Sequence, residues 1–131
     1  MKISLEKVRK PRELGPNEEI AWFTQTLGLE SKRDKQKIVF KIFSELVKEI
    51  KIGNGLSSEE LAQRLKLSRT TIIHHLNKLI DSGLIIKHSS KYFLRENSLT
   101  EVLKEIRKDL DRIFLDLEST AKDIDEGLGL K

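Results

Sequence analysis

A short segment in the middle of the chain, LSRTTIIHHLNKL at residues 67–79, carries hydrogen-bonding side chains at helical spacing. With successive residues about 100° apart around a helix, Thr70, His74 and Asn77 fall on one face. Short and medium donors and acceptors of this kind can reach base edges in the major groove of DNA. The competing interpretation is that these residues are merely solvated on an exposed helix.

The first turn of this predicted helix contains no acidic residue. Ser68 is suited to cap it, and Thr71 stands where other helices of this chain have Asp or Glu. The helix start therefore keeps its partial positive charge for a phosphate, and Arg69 adds a mobile cation there. We expect Ile73 to touch a thymine methyl group. The predicted DNA contacts of this helix are Ser68, Arg69, Thr70, Thr71, Ile73, His74, Asn77 and Lys78.

The opposite face of the same helix is apolar and is expected to face the core. His75 falls beside this apolar arc, so the two adjacent histidines are expected to have different roles. Because they point about 100° apart, they are poorly arranged to share one metal ion. The chain has no cysteine, no His-x-x-x-His pair and no glycine-rich phosphate loop. We therefore predict no enzyme activity, no metal site and no cofactor.

After Gly83 the pattern changes from helix-like to strand-like. Residues 84–87 and 91–95 predict two short strands around a polar turn at residues 88–90. Side chains on such a hairpin usually meet phosphates or the minor groove. Protection of an edge strand by lysine would explain one or two of these cations without DNA. The predicted contacts of the hairpin are Lys87, His88, Lys91 and Arg95.

Three segments share a serine followed three residues later by an acid, which is typical of a helix start. The pairs are Ser31/Asp34, Ser57/Glu60 and Ser98/Glu101. The first predicts a helix to about Lys51, and the second a short helix that breaks near residues 66–67. With the helix from Ser68 and the hairpin, this order predicts a mainly α fold with a small β-hairpin, a winged helix-turn-helix.

The N-terminal residues 1–16 show no sustained period, so we interpret them as an arm that a partner could order. From Asn17, expected to be a cap, Ile20, Phe23 and Leu27 predict a short helix that stops at Gly28. No apolar run approaches the length of a membrane span, and no signal peptide is evident. The expected localisation is the cytoplasm.

Charge is unevenly distributed along the chain. The formal net charge of +4 combines a neutral segment 1–30, a segment 31–95 at +8 and a segment 96–131 at −4. A basic block on a modest net charge indicates a polyanionic partner for one region only.

The last predicted helix, from Leu99 to about Glu126, would be about 42 Å long at about 1.5 Å per residue. Its apolar residues recur at heptad spacing, with a polar break at Thr120. We expect the first half to help pack on the winged domain and the remainder to pair with another subunit. The alternative is a helix folded back entirely on its own domain. The predicted dimerisation residues are Leu99, Leu103, Ile106, Leu110, Ile113, Leu117 and Ile124.

The segment LSRTTIIHHLNKLIDSGLI resembles the recognition helix and following strand of the arsenical-resistance-repressor (ArsR) family of winged-helix regulators, whose pattern is close to LSQSTVSHHLKVLREAGLV. The resemblance covers residues 57–94 and implies a dimeric repressor or activator. MarR-like and other winged regulators share much of the pattern. Metal-sensing members carry a Cys-x-Cys pair where this chain reads SSEELAQRLK, so the resemblance implies no metal sensing here. The matching positions are Leu67, Ser68, Thr71, His74, His75, Leu76, Leu79, Gly83 and Leu84.

Together these patterns predict an N-terminal arm and short helix at 1–30, a DNA-binding winged helix-turn-helix at 31–95 and a C-terminal dimerisation helix at 96–131. The expected function is a homodimeric, sequence-specific regulator of transcription that binds double-stranded DNA. A winged-helix module that binds only proteins remains the alternative. RNA binding is a distant third, because few exposed aromatic residues are available for base stacking.

Overall fold

A computed structural model of the protein describes residues 1–12, 15–30 and 36–130. It confirms the mainly helical winged helix-turn-helix with a long C-terminal helix. The elements are α1 (Pro16–Thr26), α2 (Ile38–Lys48), β1 (Leu56–Ser57), α3 (Ser58–Leu65), α4 (Arg69–Asp81), β2 (Ile85–His88), β3 (Lys91–Leu94) and α5 (Leu99–Leu128).

The core lies where α2, α3 and α4 meet the sheet and the first turns of α5. Apolar residues at helical spacing put Ile42 and Phe43 of α2 into this core beside Ile72 of α4. Phe23 of α1 stacks on Phe43 with ring centroids 5.8 Å apart, so α1 packs on the outside of α2. The apolar face of α4 is thereby buried, and its polar face is left toward solvent.

The wing is the hairpin of β2 and β3, joined by a turn at residues 89–90. Leu56 of β1 pairs with Tyr92 of β3, which gives a three-stranded antiparallel sheet in the order β1-β3-β2. The sequence did not predict β1, because a strand of two residues shows no alternation. This strand matters because it attaches the start of α3 to the wing.

The predicted helix starts are observed where the structure describes them. The Ser57 hydroxyl accepts from the Glu60 amide at 3.0 Å, and the Ser57 amide donates to the Glu60 carboxylate at 3.2 Å. Ser98 likewise accepts from the Glu101 amide, but the Glu101 carboxylate accepts from Lys104 at 3.1 Å instead of reaching back.

Two helix boundaries differ from prediction, and a third prediction is untested. The predicted start at the Ser31/Asp34 pair lies outside the described residues. The helix α2 begins at Ile38 with no side-chain cap, and it ends at Lys48 rather than near Lys51. The cap of α1 is Gly15 rather than Asn17, because Pro16 occupies the first helical position, where its missing N–H is not needed.

The N-terminal arm is ordered by contacts within the chain. The Lys2 amide donates to the Asp81 carbonyl at 2.7 Å, at the end of α4. Further along, the indole N–H of Trp22 donates to the Val8 carbonyl at 3.0 Å, and the Lys10 ammonium lies 5.3 Å from the Trp22 ring centroid. The described part of the arm therefore contacts both the end of α4 and α1.

The long helix α5 has two parts. Val102 and Ile106 are buried in the core, and Leu99 and Leu110 pack against it. From residue 111 to residue 128 every side chain of α5 is exposed. The helix thus anchors on the domain through its first three turns and then projects from it. Across the described residues, none of the helices combines the length and apolar character needed to cross a lipid bilayer.

Candidate nucleic-acid interface

The polar face of α4 is exposed along its length. Thr70, His74 and Asn77 lie on the side opposite the buried Ile72 and Leu76. This is the arrangement expected when one helix face packs on the core and the other is free to enter a groove.

The N-terminal end of α4 is more ordered than the sequence predicted. The Ser68 hydroxyl accepts from the Thr71 amide at 3.2 Å and donates to the Thr71 hydroxyl oxygen at 2.8 Å. Arg69 donates from Nε to the Ser58 hydroxyl at 3.2 Å, so it is held against α3 rather than mobile. Its terminal guanidinium nitrogens keep donor capacity that this bond does not use.

A cleft of about 320 Å³ separates α4 from the wing. Arg69, Ile73 and Asn77 line it from α4, and Lys87 and Tyr92 line it from the wing. Residues far apart in sequence are thereby brought to one concave surface, with hydrogen-bonding and cationic groups on both sides.

Five residues of this cleft were not predicted as contacts, among them Ser57, which was predicted only as a helix cap, and Tyr92, which was predicted only as part of a strand. Ser58 and Glu59 come from the first turn of α3, and Ser90 comes from the wing turn. Their positions depend on the pairing of β1 with β3, which leaves no periodic signal in the sequence. Glu59 brings a carboxylate to the cleft, where it can accept a hydrogen bond from a cytosine amino group but would repel a phosphate.

The wing side chains predicted to bind DNA occupy different environments. Lys87 is exposed and its ammonium lies 5.7 Å from the Tyr92 ring centroid, while His88 is exposed beside the turn. Lys91 is half-buried and pairs with Ser57 across the sheet. The pKa of Glu60 is lowered, first by its hydrogen bond from the Ser57 amide and further by the nearby positive charge of Lys91.

Arg95 lies away from this cleft, on the side of the wing that faces α5. Its Nη1 donates to Asp109 Oδ2 at 2.7 Å and to the Gly83 carbonyl at 3.5 Å. The hydrogen bond from Arg95 lowers the pKa of the Asp109 carboxyl group and raises that of the guanidinium. Because these bonds turn Arg95 toward α5, its position does not support the predicted DNA contact.

Lys78 lies at the other edge of α4. It lines a groove of about 260 Å³ together with Lys2, Ser4 and Asp81. The N-terminal arm therefore adds a cation beside α4, which the aperiodic sequence of the arm did not indicate.

The predicted dimerisation residues fall into two groups. Ile106 is 4% exposed and belongs to the core of its own domain, so it is unavailable to a partner. The projecting part of α5 also exposes apolar residues that the heptad pattern left out. The exposed apolar residues of α5 are Leu103, Ile113, Phe114, Leu115, Leu117, Ile124 and Leu128.

The histidines are arranged as a packed pair of rings. The rings of His74 and His75 have centroids 5.2 Å apart and planes at 70°, with His75 buried and His74 exposed. Within the described ranges, no group of three or more His, Cys, Asp or Glu residues is placed to hold a metal ion.

Residues 36–86 match the family model described as winged helix-turn-helix DNA-binding. The match runs from just before α2 into β2, and covers less than half of the 131 residues. No curated protein and no solved structure matches the chain significantly. The match and the fold together support a DNA-binding regulator of the winged helix-turn-helix kind.

Proposed function

We propose that this winged helix-turn-helix protein is a sequence-specific regulator of transcription that binds double-stranded DNA as a homodimer. The observation that carries the proposal is the cleft between α4 and the wing, which gathers base-reading and phosphate-binding side chains on one exposed surface. In the proposed complex α4 lies in the major groove, and the wing lies along the adjacent backbone.

Charge on this surface supports a polyanionic partner. Arg69 and Lys87 line the cleft, Lys78 lies on the opposite edge of α4, and Lys91 lies on β3 opposite Ser57. Within α4 the one acidic residue is Asp81, at the end farthest from the cap. A phosphate approaching the first turn of α4 would meet the positive end of the helix and the Arg69 guanidinium.

Specificity is assigned to the exposed polar side chains of α4. Asn77 can bond adenine through two hydrogen bonds, while Thr70 and His74 can reach neighbouring base edges. Each good bidentate contact discriminates against a wrong base by about 1–3 kcal/mol. We expect duplexes selected from a random pool to share a sequence, and Asn77→Ala to relax the preference at one position.

The salt dependence of binding to a selected duplex tests the phosphate contacts. If the four cations each neutralise one phosphate, log K should fall with log salt at a slope of about −3.6 per domain and about −7 per dimer. Lys87→Gln should make the slope shallower by about 0.9 per domain. Lys122→Gln on the projecting part of α5 removes the same charge far from the cleft and should leave the slope unchanged.

The homodimer is proposed from the projecting part of α5. Its exposed Ile113, Leu117 and Ile124 follow heptad spacing, as expected of a seam that a second copy covers. A two-fold dimer presents two recognition helices, so the selected duplexes should contain inverted half-sites about 34 Å apart or a multiple of that distance.

Within the winged helix-turn-helix proteins, we place the chain nearest the ArsR-like regulators. The support is the resemblance of residues 67–85, in which Ser68 caps α4 and Gly83 ends it as the family pattern requires.

Failure to enrich any sequence, together with binding that does not weaken as salt rises, would contradict DNA regulation. A dimer that binds no DNA but captures a protein through the wing or α5 would instead support the interaction module. Arg69→Glu with His74→Ala separates the two functions, because it should abolish DNA binding and leave self-association intact.

A further inference from the structure

We propose that Arg95 and Asp109 are positioning residues for DNA binding, whose ion pair sets the angle between the wing, the end of α4 and the projecting helix α5. The inference rests on the proposed function. It assigns a role to two residues that touch no part of the cleft, and it replaces the direct DNA contact first expected of Arg95.

One side chain joins three elements at this point. Arg95 directly follows β3, and its amide donates to the Leu84 carbonyl at 3.0 Å, which closes the base of the wing. Its guanidinium reaches the Gly83 carbonyl at 3.5 Å and Asp109 of α5 at 2.7 Å. A single cation therefore contacts the wing, the segment that ends α4, and α5.

The end of α4 is pressed closely against this pair. Gly83 has φ +84°, a left-handed conformation that glycine adopts without steric cost. A Cβ at Gly83 would lie 3.3 Å from Arg95 Nη1 and 3.7 Å from Ile106 Cγ1. A side chain at Gly83 would thus meet the guanidinium, the Met1 sulfur at 3.4 Å and Ile106 of α5, so the backbone that leaves α4 lies close beside this pair.

The pair lies where α5 leaves the domain. Asp109 is one turn beyond the buried Ile106, and from residue 111 onward every α5 side chain is exposed. About 19 further residues extend about 28 Å beyond this point. A rotation of about 10° at the pair would move the far end of α5 by about 5 Å, enough to change the spacing of two recognition helices.

This ion pair differs from the other pairs on α5. The side chains of Arg95 and Asp109 are 25% and 12% exposed, whereas those of Lys104 and Glu101 are 64% and 52% exposed. Exposed pairs contribute little because water and salt screen them. The 2.7 Å hydrogen bond from Arg95 is also the first cause of the lowered pKa of Asp109.

Asp109→Asn gives the sharpest test, because the two explanations predict opposite signs. If only overall charge mattered, removing an acid would leave DNA affinity unchanged or raise it. If Asp109 positions the wing, the neutral variant should bind a selected duplex between about 2-fold and 30-fold more weakly. Asp111→Asn, which removes the same charge from an exposed site two residues away, is the matched control and should not weaken binding.

Arg95→Gln distinguishes positioning from phosphate contact. A lost phosphate contact would make the slope of log K against log salt shallower by about 0.9 per domain. Loss of positioning should weaken binding at every salt concentration with the slope unchanged. The double variant Arg95→Gln with Asp109→Asn should bind no more weakly than the weaker single variant, because both single changes break the same pair.

Circular dichroism melts of each variant show whether it is folded at the temperature of the binding assay. A folded Asp109→Asn protein that binds as tightly as wild type, or a shallower salt slope in Arg95→Gln, would overturn the inference. If the wild-type protein selects no duplex, the proposed function is wrong. If the wild-type protein binds and the Asp109→Asn variant binds equally well, only the positioning role is wrong.

Arg112→Gln is a second control. It removes the other cation that contacts Asp109, at 2.9 Å from Oδ1, and should have little effect on DNA affinity because it leaves the Arg95 contact in place.

Discussion

Two isoleucines on α5, seven residues apart, separate the domain core from the proposed dimer seam. Ile106 is 4% exposed and Ile113 is 42% exposed. Truncating each to alanine removes the same atoms from the same helix. The two variants should therefore fail in different ways, one in folding and the other in self-association.

The expected magnitudes follow from this difference in burial. Ile106→Ala leaves a cavity in the core and should lower the free energy of unfolding by about 2–5 kcal/mol. The free energy of unfolding of a typical domain is about 5–15 kcal/mol, so this loss is a large share of it. Ile113→Ala should change the stability of the isolated subunit by less than about 0.5 kcal/mol.

Self-association should respond in the opposite order. Burying a whole isoleucine side chain contributes about 1.5–3 kcal/mol, and the exposed fraction of Ile113 leaves roughly 0.6–1.3 kcal/mol per copy to be gained. A two-fold dimer contains this residue twice, and alanine keeps part of the contact. Ile113→Ala should thus weaken dimerisation by about 1–2 kcal/mol, which is about 5-fold to 30-fold in Kd.

Sedimentation equilibrium measures the dimer Kd, and urea unfolding of dilute protein measures subunit stability. A wild-type chain that stays monomeric at the highest concentration reached would refute the dimer. An unchanged Kd in Ile113→Ala would refute the assignment of this residue to the seam. Stability loss in Ile113→Ala equal to that in Ile106→Ala would show that the projecting helix packs on its own domain after all.

Further outcomes concern stability. Ser57→Ala removes the cap of α3 and should cost about 0.5–2 kcal/mol in urea unfolding, whereas Ser90→Ala in the exposed wing turn should cost less than about 0.5 kcal/mol. Gly53→Ala strains a left-handed residue in open space and should cost about 1–2 kcal/mol. Gly55→Ala adds a Cβ 2.6 Å from a wing aromatic ring and 2.8 Å from a backbone carbonyl, so it should cost about 2–5 kcal/mol. The lowered pKa of Asp109 means that its carboxylate stabilises the fold above the usual pKa of 3.8 and loses that contribution as pH falls. As pH is lowered from about 5 to about 2, the free energy of unfolding should therefore fall less steeply in Asp109→Asn than in wild type.

Local chemistry explains what the sequence made predictable. The caps at Ser57, Ser68 and Ser98 depend on a serine and an amide three residues later, so the helix starts could be located from nearby residues. The face of α4 that carries Thr70 and Asn77 follows from helical periodicity alone.

Tertiary contacts explain what was missed. The bond from Arg69 to Ser58 and the pairing of β1 with β3 join residues that no short window contains. Arg95 was predicted to contact DNA because the strand pattern places it on the wing. Its ion-pair partner Asp109 lies fourteen residues away on α5, and no local pattern in the sequence links the two residues.

The heptad on α5 was expected to be divided between the winged domain and a partner subunit, yet its spacing does not say at which residue the division falls. Ile106 faces the core of its own domain, while Leu117 is exposed because α5 extends beyond the domain from residue 111. Where the helix leaves the domain depends on its length relative to the rest of the fold, which the spacing of its apolar residues does not record.

The dual position of Ser57 limits how this protein can be re-engineered. Its hydroxyl caps α3 while its backbone lies opposite Lys91 in the sheet, so the helix-turn-helix and the wing share one attachment residue. A chimera that replaces only α4 would keep the contacts of Ser57 and therefore the position of the wing. A chimera that replaces the wing without residues 56–57 would pair the new hairpin with a β1 strand from a different protein.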